Sequence, residues 1–230
     1  MRQIVFISDT AISKDGKTEC RICQYATEFF QRCLWSSSGD WARIFCDIKL
    51  EISDKAALEY QLGYAPKNDE LKQHLLGCGF SIDEIKASSL FNQTENGDIC
   101  QVFFDKLMVP IRDEQGNYIA FGAISLDIDK ATEFTLSSFD KSEELYGLID
   151  AQGSETIILC DSFFQVIFLA DRGIYNAVAF LGKELTKEQA EKLKKYTRKI
   201  LLSFRSDNAK ALAHALYILE SVGMEVSILG

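Results

Sequence analysis

Four short apolar runs, TIILC, NAVAF, KILLSF and MEVSIL, alternate with helix-like stretches over the last third of this chain. Short apolar strands of this kind, separated by helices, indicate a parallel sheet covered on both faces. Parallel neighbours need a crossover of about a dozen residues, normally a helix. The stretches 163–171, 186–197 and 208–222 have that length and helical periodicity. The pattern therefore predicts a β-α-β-α-β-α-β series with helices on both faces of one sheet. Thr186 with Gln189 forms a capping box, and Gly223 follows the last helix where a C-terminal glycine belongs.

The preceding residues read differently. From 24 to 91 the pattern is helical: QYATEFFQRCLW places Phe29, Cys33 and Leu34 at helical spacing, DELKQHLLGCG ends on glycines, and Ser81 with Glu84 makes a second capping box. Between 98 and 126, ICQVFF, KLMVPI and YIAFGAISL are strand-like, and DEQGN supplies a hairpin turn. The predicted fold class is an α+β N-terminal half followed by an α/β half, with a parallel sheet flanked by helices in the C-terminal part. The predicted boundaries are an extension over 1–23, a helical and antiparallel subdomain over 24–150, and the parallel-sheet subdomain over 151–230.

Composition narrows the setting. With 47% hydrophobic and 26% charged residues and only 2 Pro, the chain is globular. No apolar run approaches the ~20 residues of a membrane span, and MRQIVFISDT is too short for a secretory signal, so a cytoplasmic protein without membrane contact is expected. Seven Cys, an odd number, fit reduced thiols rather than a disulfide framework. Cys20 and Cys23 are followed by Cys33 and Cys46 without ligand spacing, and the only histidines, His74 and His214, are remote, so no zinc is expected. A net charge of −9 restricts any nucleic-acid contact to a local patch.

Several strings occur in an order that matches a known family: LGYAP (62–66), VPIRDEQGNYIAFG (109–122), DKSEELYGL (140–148), NAVAFLGKELTKEQAEKLKKYT (176–197), then ILLSF. The chain resembles the catalytic core of the bacterial DnaG-type DNA primases, whose last part is a TOPRIM domain. The resemblance runs from about residue 24 to the end. It implies DNA-directed synthesis of RNA primers by metal-dependent nucleotidyl transfer. It also implies a zinc module before this core and a helicase-binding domain after it, neither of which is read in this sequence.

Departures from the family pattern concentrate where its chemistry is expected. The resemblance implies a Glu after the first parallel strand and a D-x-D pair after the third, whose carboxylates hold Mg²⁺ or Mn²⁺. The family's VEGYMDV is LCDSFFQV here, which puts Asp161 at the glutamate and Gln165 at the aspartate; the D-G-D becomes Arg205, Ser206 and Asp207. Arg205 either pairs with Asp161 or Asp207 in place of the metal, or points into solvent. Asp161, Asp207, Arg205 and Gln165 are thus remnant positions of a catalytic set that is not intact, with no metal, or weak binding at Asp161 and Asp207. The family's F-R-x-R-I-M-F-P-I reads FFDKLMVPI, so Phe104 and Lys106 replace two arginines; Ile124 replaces a third, while Lys141 is retained.

One basic stretch stands out: residues 183–205 hold eight Lys or Arg against three Glu, a net +5 in a chain of −9. Lys192, Lys195 and Lys199 are expected to share one helical face or its extension. With Lys106, Lys141 and Lys183 they form a candidate nucleic-acid-binding set; a solvated surface is the competing reading. Phe163, Phe164 and Phe168 fit packing against the sheet or a partner patch, and Trp35 and Trp41 fit a core or base-stacking role.

The expected function is that of a degenerate primase paralogue that binds a protein partner or nucleic acid without catalysis or cofactor. The alternative is an active primase using Asp161, Asp207 and Mg²⁺ or Mn²⁺. A third class is a structural subunit of an assembly outside replication.

Overall fold

The structure is a computed structural model that describes residues 16–94, 97–126, 134–136, 139–205 and 208–229. These fall into two compact units, one drawn from Met1–Lys49, Ala57–Ile111 and Asn117–Phe139, the other from Leu50–Ala56, Arg112–Gly116 and Asp140–Gly230. No helix among the described residues is long and apolar enough to cross a membrane.

In the first unit, α1 (Gly16–Leu34) begins inside the stretch expected as an extension. It buries Ile22, Cys23, Ala26, Phe29, Phe30 and Leu34, a stripe at helical spacing. After α2 (Asp40–Leu50) and α3 (Asp54–Glu59), whose first half is counted with the second unit, comes the short strand β1 (Gly63–Ala65), then α4 (Glu70–Gly77) and α5 (Ile82–Ala87). Gly63 is needed because a Cβ there would lie 2.5 Å from the Phe30 Cβ, so only a glycine lets β1 approach α1. The Ser81 and Glu84 capping box of α5 is present, with Glu84 N–H donating to Ser81 Oγ at 3.2 Å.

The expected antiparallel region divides in two. The strands β2 (Phe91–Gln93) and β3 (Ile99–Gln101) form a separate two-stranded ribbon, so ICQVFF does not join the main sheet. That sheet has the order β1-β4-β5-β6, with β4 (Lys106–Arg112), β5 (Tyr118–Ser125) and β6 (Phe134–Leu136). A five-residue link joins β4 to its neighbour β5, too short for a parallel crossover. The apolar face of this sheet meets α1 through Met108, Phe121 and Ala123.

The second unit contains the parallel series. Its elements are β7 (Leu145–Tyr146), α6 (Leu148–Ala151), β8 (Thr156–Cys160), α7 (Phe163–Asp171), β9 (Ala177–Phe180), α8 (Lys187–Lys194), β10 (Lys199–Ser203), α9 (Ala209–Ser221) and β11 (Glu225–Ile228). The strand order is β11-β10-β8-β9-β7, and the four predicted strands are mutually parallel. The sequence did not reveal β7, which adds an antiparallel edge by pairing Leu145 with Phe180. Gly147 after it has φ +78, and a Cβ there would lie 2.9 Å from the Ala177 carbonyl oxygen. Ile157, Leu159, Val178, Ile200 and Leu202 pack with Leu193 of α8 and Ala215 and Leu219 of α9. Phe163 and Phe164 are buried on α7, and half-buried Phe168 carries the Arg172 guanidinium 3.4 Å above its ring.

Candidate functional site at the carboxyl edge of the parallel sheet

After β8 the chain moves to β9 on one side, and the next crossover carries it to β10 on the other. The switch point of the sheet therefore lies between β8 and β10, where ligands of open α/β sheets bind beyond the carboxyl ends of the strands. Cys160 and Ser203, the last residues of these strands, are paired in register. Asp161 follows one and Arg205 lies just beyond the other, so the two positions singled out in the sequence are neighbours.

Asp161 keeps its side chain fully buried (0% exposed), whereas that of Arg205 is 60% exposed. Two donors converge on Asp161 Oδ2: Asn208 Nδ2 at 2.7 Å and Arg205 Nε at 3.4 Å. The first is a tight hydrogen bond; the second is long for a charge-assisted one and acts mainly as a charge contact. Gln165, one turn further along α7, donates from Nε2 to Ser203 Oγ at 2.9 Å and so ties the helix to the end of β10. Asp161 Oδ1 and Gln165 Oε1 are buried with no hydrogen-bond partner. Burial, and secondarily the adjacent Asp161 charge, push the Cys160 thiol up to about 12. Asp207 and Ser206 lie outside the described residues. Among the described residues, no group of three or more His, Cys, Asp and Glu is arranged to hold a metal ion.

The structure breaks up the expected lysine face. Lys192 is only 11% exposed and pairs with Glu144 at 2.9 Å and Glu114 at 3.8 Å. Lys195 is the residue capping the end of α8, and Lys199 opens β10 and pairs with Glu155. Both lie at the amino edge of the sheet, opposite Asp161. Lys183, by contrast, follows β9 at the carboxyl edge, and Lys141 reaches the same edge because β7 runs antiparallel to β9. The Lys141 carbonyl is fixed by Gln189 Nε2 at 2.9 Å, while its side chain and that of Lys183 are exposed without an acidic partner among the described residues. Lys106 belongs to the other unit, half-buried at the start of β4. Trp35 is half-buried beneath Arg43; Trp41 is 50% exposed, with its indole N–H on the Leu126 carbonyl at 3.1 Å.

Two contributors escaped the sequence reading. Asn208 sits where a helix N-cap is expected, yet it spends its side chain on Asp161; Ser203 is an ordinary strand-end serine until Gln165 finds it.

The family described as DNA primase catalytic core, N-terminal domain, matches residues 29–152, and a Toprim-like family matches 158–230. The chain belongs to the DNA primase catalytic-core family. It is 32% identical over 228 residues to the DNA primase of Aquifex aeolicus, covering 94% of this chain and 44% of that protein. It is 33% identical over 206 residues to the DNA primase of Pseudomonas aeruginosa, covering 86% and 31%. The chain thus spans less than half the length of these relatives. The solved Aquifex aeolicus primase (zinc-binding and RNA polymerase domains) superposes with a TM-score of 0.83 at 27% identity, over 95% of this chain and 55% of that one. A DnaG primase catalytic domain bound to single-stranded DNA shares the fold at TM-score 0.72 and 24% identity, over 92% and 72%.

Proposed function

We propose that this chain is a primase-fold module that binds nucleic-acid phosphates and does not synthesise primers. The observation that carries this reading is Arg205 on Asp161 at the sheet's switch point, with Gln165 beside them. A divalent ion needs several converging oxygens, and Mg²⁺ in particular demands near-ideal octahedral geometry. Here the Asp161 charge is already met by Asn208 and a guanidinium, and the neighbouring amide of Gln165 is neutral. This donor set does not fit the ion implied by the fold family, so no transfer step is assigned to these residues. Nucleic-acid contact is supported by Lys141 and Lys183 at the same edge, and by the single-stranded DNA held by a catalytic domain of this fold.

A second reading, docking of a protein partner, is favoured by one feature: Trp41, Ile44 and Ile48 are exposed at helical spacing along α2.

The deciding experiment is primer synthesis on a single-stranded template with ribonucleotides and Mg²⁺ or Mn²⁺. No product above background is expected, because losing one oriented charge in such a site lowers the rate by roughly 10² to 10³. Robust synthesis that disappears in Asp161→Ala would overturn the reading and install an active primase.

A further inference from the structure

The mismatch between donor set and metal has a chemical consequence of its own. Arg205 approaches Asp161 through Nε at 3.4 Å and is 60% exposed, which leaves the outward fork of its guanidinium to meet a second anion. Asn208 Nδ2 holds the same carboxylate oxygen at 2.7 Å, so Asp161 does not depend on Arg205 alone for a partner. Asp161 Oδ1 and Gln165 Oε1 are buried acceptors without a hydrogen-bond partner, and acceptor oxygens repel an anion. A phosphate at this edge therefore sits outside, on the guanidinium, with Lys183 and Lys141 further along the same edge, beyond the ends of β9 and β7. The same edge receives the beginnings of α7, α8 and α9, whose dipoles add positive potential.

We infer that this edge binds phosphate without a divalent metal, Arg205 supplying from the chain the positive charge that a metal ion would bring. The inference rests on the nucleic-acid-binding reading above and names its chemistry. The recognised groups are phosphate oxygens, in a phosphodiester backbone or in the polyphosphate of a nucleotide. Arg205 is the principal contact, and Lys183 and Lys141 extend the same edge on one side of it.

The test uses the full chain, stripped of metal with EDTA, and a short fluorescent single-stranded oligonucleotide followed by anisotropy. Sodium triphosphate and ATP serve as competitors that separate backbone from polyphosphate recognition. Affinity should be the same within about twofold in EDTA and in Mg²⁺, since a site without the ion gains nothing from it. Arg205→Ala should weaken binding about tenfold in both conditions, the usual scale for a lost charge-assisted hydrogen bond, and Arg205→Lys should recover part of the loss. The exposure of Arg205 makes these variants safe for folding, and an unchanged melting curve checks it. Arg205→Asp should show Mn²⁺ binding by electron paramagnetic resonance that the wild type lacks. Binding that requires Mg²⁺ and survives Arg205→Ala would overturn this inference while leaving the nucleic-acid reading intact. Absence of binding to any of the three probes, with or without metal, would overturn both.

Discussion

The two edges of one parallel sheet carry similar numbers of cations and put them to different uses. At the amino edge, α8 and α9 end, so their exposed carbonyls and negative dipole ends attract positive side chains. Lys194 Nζ donates to the Val222 carbonyl at 2.7 Å, and Lys199 pairs with Glu155. A hollow of about 360 Å³ opens there, and two of its three lysines, Lys194 and Lys199, are engaged in finishing a helix and a strand end. At the carboxyl edge the same helices begin, their dipoles add positive potential, and Lys141 and Lys183 have no acidic partner among the described residues. Arg205 has one, and holds it loosely. Basic residues near a concavity are thus a poor guide to binding; which end of the helices they decorate is a better one.

The sharpest way to break this comparison is to reverse charges at each edge in turn. Lys141→Glu with Lys183→Glu should weaken oligonucleotide binding by tenfold or more and reduce the salt slope by roughly two, one per phosphate contact removed. Lys195→Glu with Arg198→Glu should leave affinity within about twofold. Anisotropy titrations at several salt concentrations give both numbers. Equal losses from the two pairs would show that long-range charge, rather than the edge, governs binding.

Lys192 separates structure from function within the same basic stretch. Lys192→Met should lower stability by about 1–3 kcal/mol, because it leaves Glu144 and Glu114, each 21% exposed, facing one another without their shared cation. Oligonucleotide affinity should not move. Denaturant unfolding of the variant against the wild type measures the first, and anisotropy the second. A variant of unchanged stability and weakened binding would return Lys192 to the interface expected from the sequence.

The parallel half was legible because its inner strands β8 and β9 are apolar runs and the crossover helices α7 and α8 show capping chemistry, as at Thr186 and Gln189, where the N–H of Gln189 donates to Thr186 Oγ1 at 3.0 Å. The strands that escaped, β1, β2, β6 and β7, are two or three residues long and have no periodicity of their own; each is held by pairing with another strand. The same distinction holds at the site. Strand order alone brings Asp161 and Arg205 together, and the sequence left open whether Arg205 would reach the acid or point into solvent. Asn208, Ser203 and the acids around Lys192 could not be read, because their partners come from other elements. Helical periodicity reports which residues share a face and is silent on what lies opposite.

The smallest effect tests whether the amino-edge pairing is a fixture or a rheostat. Lys199 holds the Glu155 carboxyl below its usual range, and Glu155 holds the Lys199 ammonium above its own. A lowered carboxylate contributes stability above its unfolded value and loses it as pH falls through the lowered one. A raised ammonium contributes below its unfolded value and loses it as pH rises through the raised one. Both partners stay charged between about pH 5 and 10, so the pair's contribution should be flat there and fade on either side. Its size is small, since both groups are exposed and screened by salt. The melting temperature of the wild type minus that of Lys199→Ala, followed across pH at low salt, should form a low plateau that fades as pH falls below the ordinary glutamate range. A slope inside the neutral range would mean that the edge senses a titrating group other than Glu155, and the static role given to the amino edge would have to be abandoned.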